Sequence, residues 1–173
     1  MKINLIEKNK SKFECLNNKF KDEEVNISNL DMKTWLVNNS TRCIIRICSE
    51  LEVIYPEYYK NITEVFDDSI FDKVTNFIEE SPELLKVGSS FMIKIPCSDV
   101  YLINSIVSNK KGSLSEGIKN GLVTAHYANM ENVLILPFEN FTSDEEYAKS
   151  LKCGYDSYKK YNITNNNYKK LMK

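Results

Sequence analysis

Two residues could form a nucleophile and its base. Cys43 follows Arg42 and precedes Arg46, and Asn39-Ser40-Thr41 can cap a helix just before it. A helix dipole and two positive charges there would favour thiolate. His126, the one histidine of the chain, lies downstream in LVTAHYANMEN. Asn129, Asn132 or Asn140 could orient its ring, as a cysteine hydrolase or deamidase would require. Cys97, in Ile95-Pro96-Cys97-Ser98-Asp99, is a weaker substitute, and no family signature surrounds either cysteine. The fragment Ser113-Leu114-Ser115-Glu116-Gly117 has the end of a nucleophile elbow, but Ser113 stands where the first glycine is needed.

Charge gives a second, independent signal. Residues 57–83 hold eight acids against Lys60 and Lys73. Within that stretch Glu64, Asp67, Asp68, Asp72, Glu79 and Glu80 form a candidate partner-binding patch for a basic protein, which would be steered to it electrostatically. From Lys149 to Lys173 the balance reverses, with seven lysines against Asp156. Tyr155, Tyr158 and Tyr161 among those lysines could stack bases, yet the same spacing suits a helix packing its rings on the domain. Direct nucleic-acid binding is therefore disfavoured.

Cofactors and metals find little to hold them. There is no G-x-G-x-x-G and no Walker loop, and five glycines are few for a phosphate cradle. Five cysteines with no C-x-x-C, and a single histidine, argue against both a disulfide framework and structural zinc. The expectation is no cofactor and no metal. Six Asn-x-Ser/Thr sequons follow from the asparagine content, and no signal peptide accompanies them.

The elements that must position these residues follow from periodicity. KINLI (2–6) alternates as a strand. Helices are expected after Ser11, after Ser28 and after Asn39, the last burying Ile44, Ile47, Cys48, Leu51 and Ile54 with Arg42 and Arg46 outside. A strand over 42–48 is the alternative, since the run is rich in isoleucine. Pro56 opens another helix, and Phe71, Val74, Phe77 and Ile78 make the clearest apolar stripe. Beyond Gly88, strands are expected at 91–95, 122–127 and 133–136. Residues 100–107 are open between strand and helix. A short helix from Ser113 would stop at Gly121, and a last helix from Ser143 at Gly154, with a frayed tail from about 162.

The chain has 173 residues, 42% hydrophobic, with formal net charge -1. That suits one globular domain over 1–173. The fold class expected is α+β, a helix-rich N-terminal half followed by a small mixed or antiparallel sheet and a C-terminal helix. No apolar run is long enough to cross a membrane, and a cytoplasmic location is expected. The leading functional expectation is a non-enzymatic inhibitor of a basic partner, most concretely an immunity protein or antitoxin blocking a nuclease toxin. The alternative is the cysteine hydrolase using Cys43 and His126.

Overall fold

A computed structural model describes residues 1–110, 112–138 and 143–171, with the side chains of 163 and 165–171 excepted. It combines helices with one six-stranded mixed sheet, in keeping with the expected class. The order along the chain is β1 (Lys2–Ile6), α1 (Lys10–Phe20), β2 (Val25–Ser28), α2 (Met32–Asn38), β3 (Cys43–Cys48) and α3 (Glu50–Ile54). A 3-10 turn at Pro56–Tyr59 leads to α4 (Lys60–Thr63) and α5 (Ile70–Glu80). Then come β4 (Ser90–Lys94), β5 (Tyr101–Ile106), α6 (Ser113–Tyr127), β6 (Asn132–Ile135) and α7 (Asp144–Leu171).

The sheet order is β2-β1-β6-β3-β5-β4. Every neighbouring pair is parallel except β4 with β5. The sheet is thus larger and more parallel than the sequence suggested, and helices cover both faces. One layer contains α1, α6 and α7, packed on Ile3, Leu5, Ile45, Ile47, Ile103, Val133 and Ile135. The other contains α2 through α5, packed on Ile6, Ile44, Cys48, Leu102, Ile106 and Leu134.

Parallel strands buried on both faces lose the alternation that marks a strand in sequence. That is why 43–48, CIIRIC, could be read as a helix: all six residues are buried and its isoleucines fall by chance at helical spacing. The helix reading of this segment, with Leu51 and Ile54 inward and Arg46 outward, is overturned. Arg46 is buried, whereas Leu51 and Ile54 are exposed. The 122–127 strand is also corrected. Leu114, Ile118, Leu122 and Ala125 form one buried stripe along the single helix α6.

Two glycines expected to end helices lie inside them. A Cβ on Gly121 would sit 2.8 Å from Ile45 on β3, and one on Gly154 would sit 2.6 Å from the Ser115 carbonyl of α6. They permit close approach of α6 to the sheet and of α7 to α6. The residue that ends α6 is Asn129, with φ 58°. Its backbone N–H reaches the His126 carbonyl, and that of Met130 reaches Ala125.

The apolar stripe of α5 is shallower than expected. Ile70 and Val74 are fully buried, but Phe71, Phe77 and Ile78 are only partly covered. Phe77 stacks on Phe91 of β4 with centroids 5.5 Å apart. Phe77→Ala should therefore cost about 2 kcal/mol, below the 3–5 kcal/mol or so of a fully buried ring. Chemical denaturation of the variant measures this directly; a loss above about 4 kcal/mol would contradict the half-buried placement.

Candidate functional site at the strand carboxyl ends

In an open parallel sheet, a crevice forms where adjacent strands send their connections to opposite faces. Here the chain leaves β6 into α7 on one face and leaves β3 into α3 on the other, and the two strands are hydrogen-bonded neighbours. By this criterion β6–β3 and β3–β5, on either side of the central strand β3, are both switch points. The starts of α1, α2, α3, α6 and α7 all follow parallel strands and so gather along the same carboxyl edge.

Most of these helix starts are closed by their own side chains. Asn9 accepts from the Lys12 N–H at 3.1 Å and Asp31 from Thr34 at 2.7 Å. Ser49 and Glu52 form a reciprocal capping box on α3. Ser143 accepts from the Glu146 N–H at the start of α7. Ser11 donates to Asp144 at 2.5 Å, tying the first turns of α1 and α7 together. Hydrogen bonds to Thr34 hold the Asp31 carboxyl below its ordinary range.

The α6 start differs. The chain leaves β5 through Ser108-Asn109-Lys110, crosses Gly112 at φ 88°, and enters a 15-residue helix with no side-chain cap. Ser113 is occupied instead with the Ser108 N–H at 2.7 Å. First-turn N–H groups and the positive end of a helix dipole are what an anionic oxygen requires. Lys110, exposed beside them, adds a full charge. Glu7, buried at the end of β1, faces the same edge and accepts from the Asn9 N–H at 3.2 Å. Residues 139–142, between β6 and α7, and Lys111 lie outside the described residues.

The proposed cysteine chemistry is not assembled. Cys43 is a central strand residue with no exposure, and burial pushes its thiol up to about 12. It has no helix N-terminus behind it, since α3 begins seven residues later. His126 is on the outer layer, edge-on to Tyr127 and Tyr158 at 6.1 and 6.2 Å between ring centroids. Asn129 is the helix stop, and Asn132 accepts from the Asn4 amide at 2.5 Å while donating to the Ser40 carbonyl. Asn140 lies outside the described residues. Among those described, no group of histidine, cysteine and carboxylate side chains could hold a metal ion.

A labelling time course follows from this placement. Iodoacetamide at pH 7.5 should modify Cys97 and Cys153, which are exposed, well before Cys43 or Cys48. Burial pushes both of the latter thiols up to about 12, so raising the pH to 9 should still leave them unmodified. Mass spectrometry reads the order; early modification of Cys43 would contradict the structure.

Glu64, Asp67, Asp68, Asp72, Glu79 and Glu80 are all exposed, and none joins an ion pair among the described residues. They belong to the second helical layer. Lys152 and Lys159 of α7 lie on the opposite layer, where they hold Glu23 at 3.1 and 2.9 Å. Among the described residues, no lysine of the C-terminal segment pairs with these acids. An open cleft of about 320 Å³ between α1 and α7, lined by Lys19, Lys149, Lys152, Cys153, Asp156 and Lys160, lies away from the strand ends.

No family model and no curated protein sequence matches this chain. Solved structures do match. The macrodomain of Thermus aquaticus DarG superposes with a TM-score of 0.53 at 12% identity, over 69% of this chain and 84% of that one. The fold is similar to that of a macrodomain. The macrodomain of Mycobacterium tuberculosis DarG gives a TM-score of 0.51 at 13% identity, over 70% and 86% of the two chains. The macrodomain fold overturns the reading of an immunity protein or antitoxin that blocks a nuclease, and with the separated Cys43 and His126 it overturns the cysteine hydrolase. Of this edge, the sequence shows only the turn at Lys110-Lys111-Gly112 and the helix start at Ser113. No helix among the described residues is long and apolar enough to cross a membrane.

Proposed function

We propose that this chain binds an ADP-ribosyl ligand along the carboxyl edge of its parallel strands. ADP-ribose is the ligand associated with macrodomains. The observation that carries the reading is the β6–β3 switch point within that fold, the general location of nucleotide-type ligands in open parallel sheets. The diphosphate fits best at the uncapped start of α6, beside Lys110 and the left-handed Gly112. The segment after β6, Leu136 to Ser143, contains no glycine, so a tight backbone cradle of the usual glycine-rich kind is not available there. Phosphate binding on α6 rather than after β6 is the consequence for this chain.

Calorimetric titration with ADP-ribose tests the reading, with ribose 5-phosphate as control. Saturable binding to ADP-ribose is expected, with ligand at about a hundred times Kd adding about 2.7 kcal/mol to unfolding stability. Lys110→Glu should weaken binding about tenfold, or about 1.4 kcal/mol, and leave the melting temperature of the free protein unchanged. Absence of heat and of thermal stabilisation at millimolar ADP-ribose would overturn the reading.

A further inference from the structure

The segment after β3 presents apolar side chains to solvent although it is firmly held. Leu51, Ile54, Tyr55 and Tyr58 are 57%, 39%, 46% and 49% exposed, while Val53 and Tyr59 between them take the buried positions. The Tyr55 N–H donates to the Leu51 carbonyl and the Tyr58 N–H to that of Tyr55, so the exposed groups follow one another turn upon turn. From beneath, Arg46 donates to the Glu52 carbonyl at 2.6 Å and the Tyr58 carbonyl at 3.2 Å. The Tyr59 hydroxyl donates to Val53 at 2.9 Å. A pinned backbone cannot rotate these side chains inward, so the apolar surface is preorganised.

Its surroundings select the occupant. Between residues 50 and 64 there are four acids, Glu50, Glu52, Glu57 and Glu64, against Lys60. Asp67, Asp68 and Asp72 follow, exposed and outside any ion pair among the described residues. A second copy joined through the same face would set acids against acids, as a twofold interface must. We propose that α3 and the 3-10 turn after it form a docking surface for a basic protein segment, which buries its own apolar side chains against Leu51, Ile54, Tyr55 and Tyr58. The apolar groups supply the buried centre, and the neighbouring acids steer the encounter.

The probe is a fluorescein-labelled synthetic helical peptide with leucine on one face and lysine on the other. A counterpart carrying glutamate for lysine is the control. Fluorescence anisotropy should show saturable binding of the lysine peptide and none of the glutamate peptide. Amide chemical-shift changes should centre on residues 50–64. The double variant Leu51→Ser/Tyr55→Ser should weaken binding at least about tenfold with its melting temperature unchanged, because both side chains are exposed. Reversing Asp67, Asp68 and Asp72 to lysine should slow association at low salt and flatten its salt dependence, with dissociation little changed. Equal binding of the two peptides, full affinity in the double variant, or shifts centred on α7 would each overturn the proposal.

Discussion

Arg46→Ala is expected to cost about 3–5 kcal/mol and to loosen residues 49–59 ahead of the rest of the molecule. Arg46 is 6% exposed and has no carboxylate partner among the described residues. Its charge is held by the side-chain Oδ1 of Asn104 at 3.1 Å, by the backbone carbonyls of Glu52 and Tyr58, and by the Tyr59 ring, whose centroid lies 4.3 Å from the guanidinium carbon. Truncation removes the donors for three acceptors and opens a cavity beneath α3. Each buried acceptor left without a partner costs about 1–3 kcal/mol, partly recovered where carbonyls turn to water. Arg46→Met tests the donors alone, since it restores most of the volume; it should recover less than half of the loss. Urea denaturation gives the total, and hydrogen exchange gives the order of opening. A loss below about 1 kcal/mol, or exchange that accelerates uniformly, would show that the excursion after β3 is held by its apolar contacts instead.

Gly154→Val should destabilise by about 3 kcal/mol or more, and Gly154→Ala by somewhat less. A Cβ there would meet the Ser115 carbonyl oxygen at 2.6 Å and the Ile118 side chain at 2.7 Å. The first of these is backbone inside α6 and cannot swing aside, so α7 has to move. Its movement would strain the packing of its own buried residues Leu151, Tyr155 and Tyr158. The Gly117 position offers a contrast. Its nearest contact, 2.3 Å, is to the Val107 side chain, which has some freedom to turn, so Gly117→Ala should cost less than Gly154→Ala. Thermal unfolding of the three variants orders them, and a harmless Gly154→Val would mean that α7 is docked more loosely than drawn.

The candidate site was only partly legible before the fold was known. The acids from Glu64 to Glu80 were visible as charge, and their exposure follows from local pattern: each stands between the apolar positions that face the sheet. Whether α7 would cover them was a question of which layer each helix joins, and sequence spacing says nothing about that. The pairing of Cys43 with His126 failed for the same reason. Chain order is shared by many arrangements, and here a central strand buries one residue while an outer helix carries the other.

By itself the sequence determined the elements whose apolar residues keep a period and whose ends carry their own caps. The strand at 2–6 and the existence of the helix over 70–80 depend on neighbours within a few residues, and local chemistry settles them; the α2 cap is Asp31 rather than the expected Ser28, and of the expected α5 stripe only Val74 is fully buried. Tertiary structure alone decided β3, the length of α6 and the direction of Arg46. A strand buried on both faces has no alternation to read, so only its partners β5 and β6 distinguish it from a helix. Gly121 and Gly154 carry the same local signal as helix stops, and only the closeness of β3 and of α6 shows them to be contacts. Arg46 points inward because Asn104 and two carbonyls wait there, groups that come from another strand and from a turn up to twelve residues away along its own chain. The edge where the helix starts gather is likewise the product of five parallel strands in register, a property of the sheet that no single segment encodes.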